Sequence, residues 1–292
     1  MRLATLKHEG KEVASVVASE GLVLISTINA SEHTTWETDM FQLICNGQVP
    51  ELNQWYRDGG KEKIEVMQKI AFQDAVYAPL YRTPNKIFGI GLNYAEHARD
   101  LSEKTPVGIP GSFFKPNTSI IGLGDNVELP LMANVCDGEG ELAIILGKRC
   151  DNVKRENWLD VVAGFTVATD MTSLDILEKN TRYLTIAKSF NTFFGLGHQL
   201  VTPDEIENIM DLKVRTVLNG KVFAENYVHN MTFTPDFLVS FLSEVMTWLP
   251  GDIISTGTPR GVHIAHGDTI EGQVDGFEPL YHKVVDKKVL AK

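Results

Sequence analysis

The sequence predicts an α+β fold: a β-rich domain over residues 81–292 preceded by a small α/β domain over residues 1–80. Three observations lead there. The first eighty residues pass from short β-type runs to segments with helical spacing. The stretch APLYRTPN carries Pro79 and Pro84 within six residues, which marks a connector. Beyond it, β-branched runs alternate with Gly, Pro, Asn and Asp, as strands and tight turns require.

In chain order, RLATLKHEGKEVASVVASEGLVLIST holds the turn signals HEGK and SEG between apolar arms and reads as an antiparallel meander. MFQLICNG and NQWYRDGGKEKIEVMQKIAFQ place apolar residues three and four apart, giving helices broken at Gly59 and Gly60. After the connector come the strand candidates KIFGIGLN, IIGLGDNVELP, ELAIILGK, VVAGFTVATD, LKVRTVLNGKVF, DIISTGTP, DTIEGQVDGFEPL and YHKVV. In VLNGKVFAE, Asn219-Gly220 between apolar arms predicts a type I′ hairpin turn. TPDFLVSFLSEVMTWLP has a 3.6-residue period with a Thr/Pro start and a Pro stop, so it reads as a helix; SLDILEKNTR is a second candidate. No repeat or low-complexity tract interrupts this layout, and it is not a regular βαβ array.

Composition limits the function. A chain of 292 residues with 43% hydrophobic content can bury one large core or two modest ones. No apolar run nears the roughly 20 residues that span a bilayer, and MRLATLKHEGKEVASVV lacks the basic-then-apolar layout of a signal peptide, so a cytoplasmic protein without a membrane partner is expected. Cys45, Cys136 and Cys150 are odd in number and widely spaced, which excludes a disulfide framework or zinc ribbon and predicts buried, inert thiols. A net charge of -11 with no Lys/Arg cluster excludes a nucleic-acid partner.

Candidate chemistry centres on GEGELAIILGK, from Gly138 to Lys148. On a strand, Glu139 and Glu141 project to one face with Cα atoms about 6.6 Å apart. Either the strand end is solvated, or a divalent cation compensates the pair; Mg²⁺ or Mn²⁺ accepts such oxygen donors. A third ligand is available at Asp170, where VVAGFTVATD ends, although Asp at such a junction also serves as a helix N-cap. Three carboxylates without Cys or His would favour a hard cation over zinc. In GLNYAEHARD, a helical turn would bring His97 and Asp100 onto one face, as surface neighbours or as a general-base dyad. Lys188 in TIAKSFNTF is either solvated or poised at an oxyanion. STGTPRG, with Gly257 and Thr258, is a plain turn or a backbone cradle for a small anion, and lacks the spacing of a phosphate loop.

The order of these motifs carries more than any one of them. GLNYAEH, FFKPNTSIIG, GEGELAIILGK, the strand to Asp170, AKSFNTF, NGKVF and LPGDIISTGTPRGV follow one another between residues 84 and 285, and in this the chain resembles the fumarylacetoacetate hydrolase family. The resemblance implies a mixed β-roll catalytic domain behind a small N-terminal domain, a homodimer, and a small-molecule substrate. It implies Mg²⁺ or Mn²⁺ as cofactor, with no organic cofactor, held by Glu139, Glu141 and Asp170. Lys188 would be the cation at the substrate, His97 with Asp100 the base on a lid, and Thr258 a neighbour of the bound substrate. The implied activity is hydrolysis of a C–C bond in a 1,3-dicarbonyl compound, with 2-oxo acid decarboxylation or isomerisation as the alternative, and a non-catalytic binding protein as a third. Departures bear on the substrate. Where many members place an Arg and a Gln that hold a carboxylate, this chain has Leu174 and Leu177; the usual PxGP reads GLGH, with His198; and Asp100 stands for the usual Glu. Leucine cannot grip a carboxylate, so the pocket is expected to be more apolar, with a substrate lacking the ordinary 2-oxo carboxylate unless Arg182 or another cation substitutes.

Overall fold

The computed structural model describes residues 1–95 and 108–290. These residues form an α+β fold with a twelve-stranded and a five-stranded sheet. The main path of the larger sheet runs Gly21–Leu24, Lys11–Ala18, Arg2–His8, Gln199–Val201, Val162–Ser173, Cys136–Leu146, Ile253–Ser255, Ile87–Gly91 and Gly111–Lys115. Ile253–Ser255 runs parallel to Ile87–Gly91, while its other neighbour is antiparallel, so the sheet is mixed. The smaller sheet is Lys221–Tyr227, Lys213–Leu218, Thr269–Val274, Leu280–Asp286 and Val127–Leu129.

The opening meander forms as its turn signals require, and its first strand joins the rest of the chain by pairing Arg2 with Val201. A single buried cluster holds Leu3, Trp36 and Leu43 together with Ala143, Phe194 and Ile253, so sheet and core both run across the connector near residue 80. The meander's third strand ends at Leu24, earlier than its apolar run suggests. Ile25 to Glu32 is a helix, because Ile25 and Ile28, three apart, both turn into this cluster. Asn219 and Gly220 take φ of 52° and 74°, the left-handed pair of a type I′ turn. The helix Pro235–Val245 starts on its proline as expected. SLDILEKNTR yields only the turn Leu174–Leu177, since the Asn180 side chain accepts the Arg182 N–H and opens a separate 3₁₀ turn. Cys136 and Cys150 are buried free thiols, but Cys45 is partly exposed. Among the described residues no helix is long and apolar enough to cross a membrane.

The two central strands, Cys136–Leu146 and Val162–Ser173, pair along their whole length and are buried at every residue. Burial on both faces explains why their sequences show apolar runs instead of alternation. The glycines of GEGE have a packing reason. A Cβ on Gly140 would stand 2.2 Å from the Arg215 carbonyl oxygen, and one on Gly138 would stand 2.7 Å from Ile270. The smaller sheet therefore presses on the glycine face, fastened by the Gly140 N–H donating to Thr216 Oγ1 at 2.9 Å. Side chains alternate, so the glutamates project from the opposite face.

Two core histidines give this packing a pH dependence. Burial holds His198 and His282 neutral, lowering each pKa to about 4. His282 Nδ1 lies 3.1 Å from the Asp125 carbonyl oxygen, while its buried Nε2 has no partner among the described residues. Unfolded histidine titrates near 6.5, so the unfolded chain binds more protons than the native one between about pH 6.5 and 4. Stability is expected to fall as pH drops through that window, by about 1.4 kcal/mol per unit for each histidine. Urea midpoints at pH 7.5 and 5 check this. The His198→Leu variant should lose part of the slope, and an unchanged slope in that variant would exclude His198 as a source.

Candidate metal centre

Glu139 and Glu141 lie on the strand Cys136–Leu146, and Asp170 lies on its neighbour, directly opposite Glu139 in the register. The second strand runs on to Ser173, so Asp170 is a mid-strand residue and not a helix cap. This register joins what is distant in sequence. One oxygen from each carboxylate falls within 4.8 Å of the others, and all three residues are buried.

Three buried carboxylates repel one another unless charge is supplied. Two lysines supply part of it. Lys188, at the end of the short helix Leu184–Lys188, donates to Glu139 Oε2 at 2.9 Å and to Asp170 Oδ2 at 2.7 Å. Lys115 pairs with the other Asp170 oxygen and donates to the Met171 carbonyl at 3.1 Å. Phe113 roofs the Lys188 ammonium, with its ring centroid 4.6 Å away. Burial alone would lower the Lys188 pKa, but the charges of Asp170 and Glu139 prevail and raise it. For Lys115 burial prevails, assisted by the Lys188 charge, and its pKa falls to about 8.

Glu141 is served differently. Its Oε2 accepts from Ser255 Oγ at 2.5 Å and from the Gly257 N–H at 3.0 Å, both neutral donors. Burial first, then the charges of Asp170 and Glu139, push its pKa up to about 8. Among the described residues the cluster is therefore short of positive charge at Glu141. A hard divalent cation fits such an all-oxygen donor set and supplies that charge.

Of the remaining candidates, Gly257 and Thr258 lie on the loop whose Gly257 N–H donates to Glu141. Gly257, with φ of 91°, leaves no room for a side chain: a Cβ there would stand 2.8 Å from the Ile90 carbonyl oxygen. Thr258 is buried, its Oγ1 3.1 Å from Thr216 Oγ1. Asn93, in the GLNY motif, is wholly buried and clamps this loop, donating to the Thr256 carbonyl at 2.7 Å and to that of Phe233 at 3.0 Å. Leu174 is buried and Leu177 half-buried on the turn that follows the Asp170 strand, while Arg182 is exposed beyond it. His97 and Asp100 lie outside the described residues. Sequence reasoning passed over Lys115 and Ser255. The FFKP motif held the lysine in view, but its role depends on Asp170 lying beside it.

Comparison with known proteins agrees with this geometry. The profile of the fumarylacetoacetate (FAA) hydrolase C-terminal family matches residues 86–285. The chain belongs to this family. Its curated relatives include the mitochondrial oxaloacetate tautomerase of Rattus norvegicus, 34% identical over 216 residues, covering 71% of this chain and 68% of that one. Among solved structures, the maleylpyruvate hydrolase of Sphingobium in complex with manganese (II) and pyruvate superposes with a TM-score of 0.79 at 26% identity, covering 98% of this chain and 99% of that one. The 2-hydroxyhepta-2,4-diene-1,7-dioate isomerase of Mycobacterium marinum superposes with a TM-score of 0.74, also at 26% identity and over the same shares. Fumarylacetoacetate hydrolase family members thus include hydrolases, isomerases and tautomerases, and at least one of their structures holds manganese.

Proposed function

We propose that this family member is a Mg²⁺- or Mn²⁺-dependent hydrolase that cleaves a C–C bond of a 1,3-dicarbonyl compound. The observation that carries the reading is the convergence of Glu139, Glu141 and Asp170 within 4.8 Å, short of positive charge despite two buried lysines. Glu139, Glu141 and Asp170 would hold the cation, which when bound supplies Lewis-acid polarisation of the dicarbonyl oxygens. Lys188, beside Glu139 and Asp170, offsets the negative charge that grows on the substrate. Ser255 and Gly257 keep Glu141 aimed at the cluster. Thr258, on the same loop, borders the substrate. His97, oriented by Asp100, takes a proton from water as the water oxygen bonds to the distal carbonyl carbon. The C–C bond to the central carbon then breaks, its electron pair passes into the enolate of the departing ketone, and the proton returns to that central carbon. Leu174 and Leu177 replace polar carboxylate holders with apolar surface and so favour a β-diketone over a 2-oxo acid.

Tautomerisation of a 2-oxo acid is the second reading, favoured by the 34% identity to an oxaloacetate tautomerase. It needs the same carboxylates and a proton-transfer group, but no attacking water. One panel separates the two: acetylacetone, acetylpyruvate and oxaloacetate, each with Mn²⁺ or with chelator, followed by NMR. Hydrolysis yields two fragments, whereas tautomerisation yields none and speeds exchange of the central C–H. Ready turnover of acetylpyruvate or oxaloacetate would overturn the preference assigned to Leu174 and Leu177. Turnover that chelator does not touch would overturn the metal-dependent reading.

A further inference from the structure

Beyond the three carboxylates, the same face of the sheet carries a histidine–carboxylate pair. The strand Val262–Ile264 lies antiparallel to Cys136–Leu146, with Val262 opposite Gly138 and His263 opposite Asp137. Directly opposed residues share a face, and residues two apart along a strand share it too. Asp137, Glu139 and Glu141 therefore form one row, and His263 stands on the metal side of the sheet. The imidazole Nδ1 contacts Asp137 Oδ1. Asp137 is 6% exposed, whereas the His263 side chain is 72% exposed. A buried carboxylate therefore holds an exposed ring by one nitrogen.

A single glycine separates this pair from the metal cluster. Gly261, two residues before His263, has no side chain. A Cβ there would stand 3.2 Å from Asp137 Oδ2 and 3.2 Å from Glu139 Oε1, which places both carboxylates around one glycine. The step along the strand from Glu139 to Asp137 is about 6.6 Å. A substrate held at the three carboxylates can lie over Gly261 and reach His263 with an arm a few bonds long.

We infer that His263, oriented by Asp137, is a specificity-determining residue that binds a carboxylate on the distal arm of the substrate. This inference rests on the metal-dependent dicarbonyl reading and adds the substrate class: a β-diketone whose chelating end is followed by a short acidic arm. In that complex the ring would donate Nδ1–H to Asp137 and Nε2–H to the substrate carboxylate. The acidic arm also reconciles the apolar Leu174 and Leu177 with an anionic ligand, since the anion is recognised at the other end of the cleft.

The test compares two ligands by titration calorimetry in the presence of Mn²⁺: acetylacetone, and acetylacetone extended by a propionate arm. The wild-type protein is expected to bind the extended ligand roughly 10- to 100-fold more tightly, the range of one hydrogen bond between charged groups. His263→Ala should collapse that ratio to near one, and His263→Lys, which keeps a cation, should retain part of it. A wild-type ratio near one, or a ratio that His263→Ala leaves unmoved, overturns the subsite while the metal reading stands. Binding of both ligands that is indifferent to Mn²⁺ overturns the two readings together.

Discussion

Replacing Glu141 by glutamine is expected to remove divalent-cation binding and, with it, at least about 1000-fold of the activity, or roughly 4 kcal/mol of transition-state stabilisation. The substitution is chosen to spare the fold. A glutamine carbonyl oxygen can still accept from Ser255 Oγ and the Gly257 N–H, so both donors keep a partner. Only the negative charge goes. That charge is costly in the metal-free protein, because Glu141 is buried beside Asp170 and Glu139, and its pKa near 8 records the strain. The metal-free variant should therefore be at least as stable as the metal-free wild type. Mn²⁺ at about 100 times its Kd should stabilise the wild type by about 2.7 kcal/mol, and the variant by far less. Thermal unfolding with and without Mn²⁺ reads this directly; an equal shift in Tm for both proteins would remove Glu141 from the ligand set.

Replacing Lys188 by methionine should act in the opposite sense on stability. Its ammonium is buried between Glu139 and Asp170, at 2.9 and 2.7 Å, so its loss leaves both carboxylates deprived of a partner. Breaking a buried pair from one side costs about 3–5 kcal/mol. The metal-free variant should be destabilised by that order, and Mn²⁺ should restore more stability to it than to the wild type, because the cation then supplies missing charge. Activity should remain depressed by about 100- to 1000-fold even with Mn²⁺ saturating, since the ammonium proposed to offset the charge on the substrate is gone. Denaturation in chelator and in Mn²⁺, paired with kcat at saturating metal, checks both halves. A variant as stable as the wild type in chelator would mean that Lys115 alone balances Asp170.

Both predictions depend on residues that the sequence revealed unequally. Glu139 and Glu141 were legible because a strand repeats every two residues, so two glutamates at that spacing must share a face. The intervening Gly140 becomes meaningful only with the smaller sheet against it, 2.2 Å from where its Cβ would stand. Asp170 was legible as a carboxylate at the end of an apolar run, but equally as a helix cap. The continuation of its strand to Ser173 and its register opposite Glu139 decided between them. Lys115 had no local signature, since a lysine after two phenylalanines is ordinarily solvated. Its burial follows from the packing of Gly111–Lys115 against the helix Leu184–Lys188. Asp137 and His263 are 126 residues apart, and no pattern in either segment points to the other.

The sequence by itself determined the fold class, the hairpin at Asn219-Gly220, the helix from Pro235, and the shared strand face of Glu139 and Glu141. Each of these follows from local rules of backbone sterics, side-chain alternation and capping, or from motif order along the chain. Tertiary structure alone decided that the carboxylates converge, that two lysines only partly neutralise them, and that a histidine stands at the far end of the same row. Those outcomes depend on strand register and sheet packing. Contacts of that kind join distant segments, and their energies arise only when burial removes water from the charges.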